Sequence, residues 1–187
     1  EVPAALTSFA KDLASALDHA NAAVVALEEA GTPRELALAL VERAAALSHL
    51  GRLAEAERSG ERAIALAESL DDPALLCICL AVHGFIVIRL GKGSEARALE
   101  RRALAIADRL GAPSAIARAH NNLALADNFL GDYAAAEAGY ERAQALWSEL
   151  GAARLGGLAT HNLGVVAQRR GDYAMALERY GRALEAF

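Results

Sequence analysis

Few residues of this sequence could carry out chemistry, and their spacing favours no catalytic or metal-binding arrangement. Cys77 and Cys79 are the only two cysteines, and on a helix their thiols would point about 200° apart. Neither His120 nor His161 has carboxylates around it in the sequence, and the GKGS stretch at 91–94 lacks the spacing of a phosphate-binding loop. We therefore predict that the protein is not an enzyme and needs no metal or cofactor.

Two asparagines offer binding chemistry instead. Asn122 and Asn162 lie 40 residues apart, and this spacing equals the period with which the sequence repeats. A carboxamide is both a donor and an acceptor, so a ladder of carboxamides suits the backbone of an extended peptide. The alternative is that these side chains are solvated or link neighbouring helices.

The whole chain repeats itself with a period of 40 residues and without gaps. The segments 130–143 and 170–183 share 8 of their 14 residues, and glycine recurs at 51, 91, 131 and 171, where Lys11 stands in the first copy. A second turn column reads Gly31, Asp71, Gly111 and Gly151, and proline follows two residues later in its first three copies. Glycine favours a helix end and proline a helix start, so each unit should contain two helices.

The expected first helices lie near 33–50, 73–90, 113–130 and 153–170, and the expected second helices lie near 53–70, 93–110, 133–150 and 173–187. Residues 4–30 should form one or two further helices, since Lys11 replaces the glycine. Alanine fills two columns of the second helices in every copy, where a small side chain lets two helix backbones approach closely.

The last two copies resemble the tetratricopeptide repeat family. Residues 160–186 have the Leu-Gly pair and the small–aromatic–small series of that family at Leu163, Gly164, Ala176, Tyr180 and Ala183. The preceding copy matches through Leu123, Ala124, Ala136, Tyr140 and Ala143. Earlier copies depart, with Arg43 and His83 in the leucine column and Gly60 and Glu100 in the tyrosine column.

The resemblance implies an all-α fold, a right-handed superhelical array (an α-solenoid) of antiparallel helix pairs. The repeat period here is 40 residues, whereas the common period of the family is about 34. In this respect the chain is similar to the arrays of kinesin light chains and bacterial multidomain regulators. We expect a single array over 1–187, with units near 11–50, 51–90, 91–130 and 131–170 and a partial unit at 171–187. We also expect this array to be part of a longer protein.

The resemblance further implies binding in a concave groove lined by first helices. The predicted groove residues share one face of two first helices: Arg118, Asn121, Asn122, Leu125, Asn128 and Phe129 on one, and Leu158, His161, Asn162, Val165, Gln168 and Arg169 on the other. A lysine-rich clamp for C-terminal carboxylates is missing from these positions.

The helix predicted over 74–90 is apolar nearly all round. Its core face is Leu80, Gly84 and Val87, and its groove face comprises Ile78, Ala81, Val82, Phe85 and Ile88. At this length, with His83 inside it, the segment is not a membrane span. We interpret Ile78, Val82, Phe85 and Ile88 as an apolar contact surface for a ligand, another domain or a second copy of the chain. The alternative is that neighbouring helices bury it.

Composition limits the partners. The net charge of −5 argues against direct binding of nucleic acid, and no secretory signal or disulfide framework is present, so we expect a bacterial cytoplasmic protein. Our main hypothesis is a scaffold that binds a peptide or a partner protein segment in its groove. The alternative is a sensory or regulatory domain of a transcriptional regulator or signalling ATPase, which binds a small effector or its own catalytic domain. Homodimers could form through the 74–90 helix or through the uncapped C-terminal end.

Overall fold

The computed structural model describes residues 4–186, and it describes side chains from residue 12 onward. Within this range the chain consists of helices joined by short turns. The helices are α1 (Ala4–Ala30), α2 (Pro33–His49), α3 (Leu53–Ser69), α4 (Pro73–Arg89), α5 (Gly93–Leu110), α6 (Pro113–Phe129), α7 (Tyr133–Glu149), α8 (Ala153–Arg169) and α9 (Tyr173–Leu184). Both sets of predicted helices are confirmed, with ends within three residues of the expected positions.

The glycine columns end helices by a specific hydrogen-bond pattern. After α2, Gly51 has a φ of +78° and donates its N–H to the carbonyl of Ser48, while Arg52 donates to Leu47. This pair of bonds is a Schellman motif, which satisfies carbonyls that the helix leaves without partners. The left-handed backbone explains why glycine recurs there, because other residues are strained in that conformation.

Residue 71 keeps the same backbone conformation without being a glycine. Asp71 has a φ of +50°, and every other positive φ in the described residues belongs to a glycine. The next residue, Asp72, begins α4 by accepting a hydrogen bond from the amide of Leu75 at 2.9 Å. This N-cap satisfies one of the free amides of the first turn.

The helix α1 passes through Lys11 without a break. It extends over 27 residues, whereas the later copies divide an equivalent stretch into two helices. Lys11 occupies the column where those copies have glycine, and a residue with a Cβ disfavours the left-handed conformation that ends a helix. The open question about residues 4–30 is therefore answered by one long helix.

The chain forms two compact units, Glu1–Gly91 and Lys92–Phe187. In the first unit, α2 packs against α1, α3 and α4. In the second unit, each helix from α5 to α9 packs against the next one, and α6 also contacts α8.

The two alanine columns are buried in α3, α5, α7 and α9, whereas in α1 their members Ala16 and Ala23 are exposed and half-buried. Their members in the second helices are Ala56, Ala96, Ala136 and Ala176, and Ala63, Ala103, Ala143 and Ala183. In the second unit they join larger side chains, as in the cluster of Ala124, Ala136, Tyr140, Leu163 and Val166. These small residues let the helices approach one another, as the repeat predicted.

Candidate functional site

The predicted groove residues lie on α6 and α8, both in the second unit. Arg118, Phe129, Leu158, His161, Gln168 and Arg169 are exposed, Asn122, Leu125, Asn162 and Val165 are half-buried, and Asn121 and Asn128 are buried. The predicted face therefore combines exposed cationic and apolar side chains with half-buried and buried asparagines.

The asparagines form a continuous chain of hydrogen bonds between helices. Asn162 Nδ2 donates to Asn121 Oδ1 at 3.2 Å, and Asn121 Nδ2 donates to Asn122 Oδ1 at 3.3 Å. Asn122 Nδ2 then donates to Glu100 Oε1 at 3.2 Å, which carries the chain to α5. Below, we call these four residues the amide chain. Its bonds show that the asparagines link neighbouring helices, and an amide has further hydrogens and lone pairs with which it can bind a ligand.

The amide chain ends at a buried carboxyl. Glu100 has no exposed surface, and its Oε2 has no hydrogen-bond partner in the described structure. Burial raises the pKa of Glu100 well above its usual range, and the bond from Asn122 and the charge of Arg118 oppose that shift. A raised pKa favours the neutral acid. Glu100 stands in the tyrosine column, and this departure from the repeat is the sequence signal that could have marked it as a functional candidate.

A pocket of about 270 Å³ opens beside the amide chain. It is lined by Ser114, Arg118, Asn121, Asn122, Trp147, Leu155 and Leu158. Trp147 is only 3% exposed, and its Nε1 has no hydrogen-bond partner in the described structure. The predicted groove residues do not include Ser114 and Leu155, which continue the same face one turn earlier in α6 and α8, or Trp147, which comes from α7.

Two predicted groove residues of α8, His161 and Gln168, contact Tyr180 of α9. The rings of His161 and Tyr180 lie 5.2 Å apart, and the Tyr180 hydroxyl donates to Gln168 Oε1 at 2.7 Å. Gly164 makes this approach possible, since a Cβ at that position would lie 2.6 Å from the Tyr180 ring. In the tyrosine column, Tyr180 thus positions part of the predicted groove face, whereas Tyr140 packs in the core.

The histidines and cysteines considered in the sequence give little support for metal binding or catalysis. Within the described residues, no group of three His, Cys, Asp or Glu side chains could hold a metal ion. Burial and the nearby charge of Arg142 lower the pKa of His120. Cys77 and Cys79 are both buried and do not form a disulfide, and burial raises the pKa of Cys79 to about 11. A thiol with this pKa is a poor nucleophile near neutral pH.

The apolar residues of α4 belong to the first unit and differ in accessibility. Ile78 and Val82 are half-buried, Ile88 is buried, and Phe85 is 37% exposed. Val82 packs against a cluster that includes Leu17 and Ile86. Part of the predicted contact surface is therefore used for packing inside the unit. A search of the described helices finds none that is long and apolar enough to cross a membrane.

Comparison with known families supports the repeat assignment. The family model for tetratricopeptide repeats matches residues 115–187, so the predicted resemblance to this family is confirmed over that part of the chain. No curated protein sequence matches the chain. The family match includes α6 and α8, the two helices that carry the predicted groove residues.

Solved structures extend the likeness to almost the whole chain. A Rap protein in complex with competence and sporulation factor is 22% identical with a TM-score of 0.85, over 94% of this chain and 49% of that one. A putative kinesin light chain repeat protein from Podospora anserina is 16% identical with a TM-score of 0.68, over 96% and 90% of the two chains. A signal transduction ATPase with a tetratricopeptide repeat sensor, from Pyrococcus horikoshii, is 19% identical with a TM-score of 0.70, over 86% and 26%.

These identities are low, so the likeness defines the fold: an all-α solenoid of helix pairs, as the sequence predicted. The chain spans about half the length of the Rap protein that it matches.

Proposed function

We propose that the protein is an interaction module that binds an extended peptide, or an extended segment of a partner protein, on the groove face of α6 and α8. The observation that carries this proposal is the amide chain from Asn162 to Glu100. Its hydrogen bonds hold the asparagine amides in fixed orientations before any ligand arrives, and a preorganised site loses less conformational entropy on binding.

Exposed side chains around the amides support the proposal. Arg118, Phe129, Leu158 and His161 supply charge and apolar surface on the same face as the amides. Backbone amides and carbonyls of an extended peptide could bond to the remaining donors and acceptors of Asn121 and Asn162. A Rap regulator of this fold has been solved in complex with the Phr* peptide, and a Rap protein with competence and sporulation factor, which supports a ligand-binding role.

A library of random peptides displayed on phage tests this function. We expect the wild-type protein to enrich a shared sequence motif and Asn162→Ala to lose it, since this change removes the outermost amide of the chain. Glu141→Ala, an exposed position on α7, is the matched control and should enrich the same motif. Circular dichroism should show equal helicity in all three proteins. No enrichment by the wild type, or equal enrichment by a folded Asn162→Ala, would refute the proposal.

The alternative function is a regulatory domain whose ligand is a small effector or another domain of the same protein. The likeness to a signal transduction ATPase with a tetratricopeptide repeat sensor favours this candidate. A library that yields no motif, together with a shift in melting temperature on adding a small metabolite, would support it over the main proposal.

The remaining parts of the proposal concern cellular context. We propose a non-catalytic protein of the bacterial cytoplasm, with one repeat array over 1–187 inside a longer chain. Pairing of two copies through helix 74–90 or through the C-terminal end stays a prediction. Analytical ultracentrifugation of the wild type and of Phe85→Ser tests the first of these routes, since Phe85 is the exposed member of that surface.

A further inference from the structure

The pocket beside the amide chain combines a cation with donors and an apolar wall. Arg118 forms no ion pair within the described part of the chain, and it lines the pocket together with Ser114 and the amides of Asn121 and Asn122. The exposed leucines Leu155 and Leu158 line the same pocket. A ligand that fits must therefore bring hydrogen-bond acceptors and an aliphatic group to one place.

The charge in the pocket favours an anionic acceptor. Glu100 interacts electrostatically with Arg118, and burial raises the pKa of Glu100, which opposes the charged form that would compensate Arg118. A guanidinium binds a carboxylate through two parallel hydrogen bonds, which is stronger than a bond between neutral groups.

Trp147 adds a second and independent observation. Its indole Nε1 is a donor without a partner although the side chain is almost fully buried in the pocket wall. Buried donors in native proteins are normally paired, so an unpaired one calls for an explanation. Since the Nε1 atom itself is enclosed, a ligand oxygen would supply the missing acceptor only after neighbouring side chains move.

We propose that the peptide bound on this face carries an acidic residue and a branched aliphatic residue two positions apart, with the carboxylate on Arg118 and the aliphatic side chain between Leu155 and Leu158. Side chains two positions apart point to the same side of an extended peptide and lie about 7 Å from each other. A pocket of about 270 Å³ has room for both groups. This inference rests on the proposed peptide-binding function, and it adds the chemistry of the partner.

Fluorescence anisotropy with labelled heptapeptides tests the inference. The probes are Gly-Ser-Glu-Ala-Leu-Ser-Gly, its reversed-order counterpart Gly-Ser-Leu-Ala-Glu-Ser-Gly, and Gly-Ser-Gln-Ala-Leu-Ser-Gly. We expect one of the two glutamate peptides to bind the wild type about tenfold more tightly than the glutamine peptide, the size typical of a hydrogen bond to a charged group. Arg118→Gln should remove this preference, while the exposed α7 variant Glu141→Gln should preserve it.

Comparing the glutamate and glutamine peptides on both the wild type and Arg118→Gln distinguishes a specific contact from a general loss of binding. If Arg118 binds the carboxylate, Arg118→Gln weakens the glutamate peptide and leaves the glutamine peptide unchanged. Leu158→Ser should weaken both peptides equally, because it removes apolar contact. Equal binding of glutamate and glutamine peptides, or a preference that survives Arg118→Gln, would overturn the inference. If none of the three peptides binds while the phage library still yields a motif that depends on Asn162, the inference fails and the proposed function stands.

Discussion

Replacing Glu100 by glutamine should change how the stability of the protein depends on pH. The side chain is completely buried, one carboxyl oxygen accepts a bond of 3.2 Å from Asn122, and the other has no partner. Because burial raises the pKa of Glu100, the folded protein holds this proton at pH values where the unfolded chain has released it. Folding then takes up a proton, so this group makes the folded state progressively less stable as pH rises above the carboxyl pKa of the unfolded chain.

The size of the effect follows from the proton that folding takes up. Each pH unit over which the folded protein holds one proton more than the unfolded chain lowers the free energy of unfolding by about 1.4 kcal/mol. Glutamine keeps an oxygen for Asn122 and does not titrate. We therefore expect the free energy of unfolding of Glu100→Gln to gain about 2 kcal/mol relative to wild type between pH 4.5 and pH 8. In a protein of this size, that gain corresponds to about 5 °C in melting temperature.

Thermal unfolding of both proteins, followed by circular dichroism at several pH values, provides the measurement. Glu141→Gln removes an exposed carboxyl from α7 and serves as the control, with a difference from wild type that should stay flat across pH. The reasoning is refuted if the difference between Glu100→Gln and wild type is the same at pH 4.5 and pH 8. Such a result would mean that Glu100 ionises in the folded protein as it does in the unfolded chain.

Three backbone positions give further predictions. In α8, Gly164→Ala should destabilise the protein by about 1–3 kcal/mol, because the new methyl group would lie 2.6 Å from the ring of Tyr180. Gly156→Ala in the same helix has no atom within 4 Å of the new Cβ and should stabilise by about 1 kcal/mol, so chemical denaturation of the pair isolates the steric effect. Asp71→Gly should raise the melting temperature by about 2–4 °C by relieving the left-handed backbone at φ +50°, whereas a gain of the same size in Asp71→Ala would show that charge is responsible.

The repeat made the helices predictable from the sequence, because each turn has its own chemical signal. Glycine at 51 and its equivalents allows the left-handed end of a helix, and proline at 33 and its equivalents begins the next one. Lys11 in place of glycine is an irregularity that the sequence shows. Whether the helix ends there depends on whether another residue nearby can end it. The structure shows that none does, and α1 is continuous.

The site was only partly predictable, since its contacts depend on rotamers and on pairs of helices. The sequence placed Asn122 and Asn162 in one column, yet Asn162 bonds to Asn121, the neighbour of its equivalent residue. The carboxyl of Glu100 meets Asn122 across 22 positions of sequence, so spacing along one helix face gave no sign of this contact. Trp147 entered the pocket from a second helix, and the prediction had considered only first helices.

The central claim is that the asparagine amides on α6 and α8 bind a peptide. The most direct test is nuclear magnetic resonance of the side-chain amide groups during titration with a peptide enriched from the phage library. We predict shifts in the amide signals of Asn121, Asn122 and Asn162, with no change at the exposed Asn21 of α1. Unchanged signals from the three groove asparagines in the presence of a bound peptide would contradict the claim.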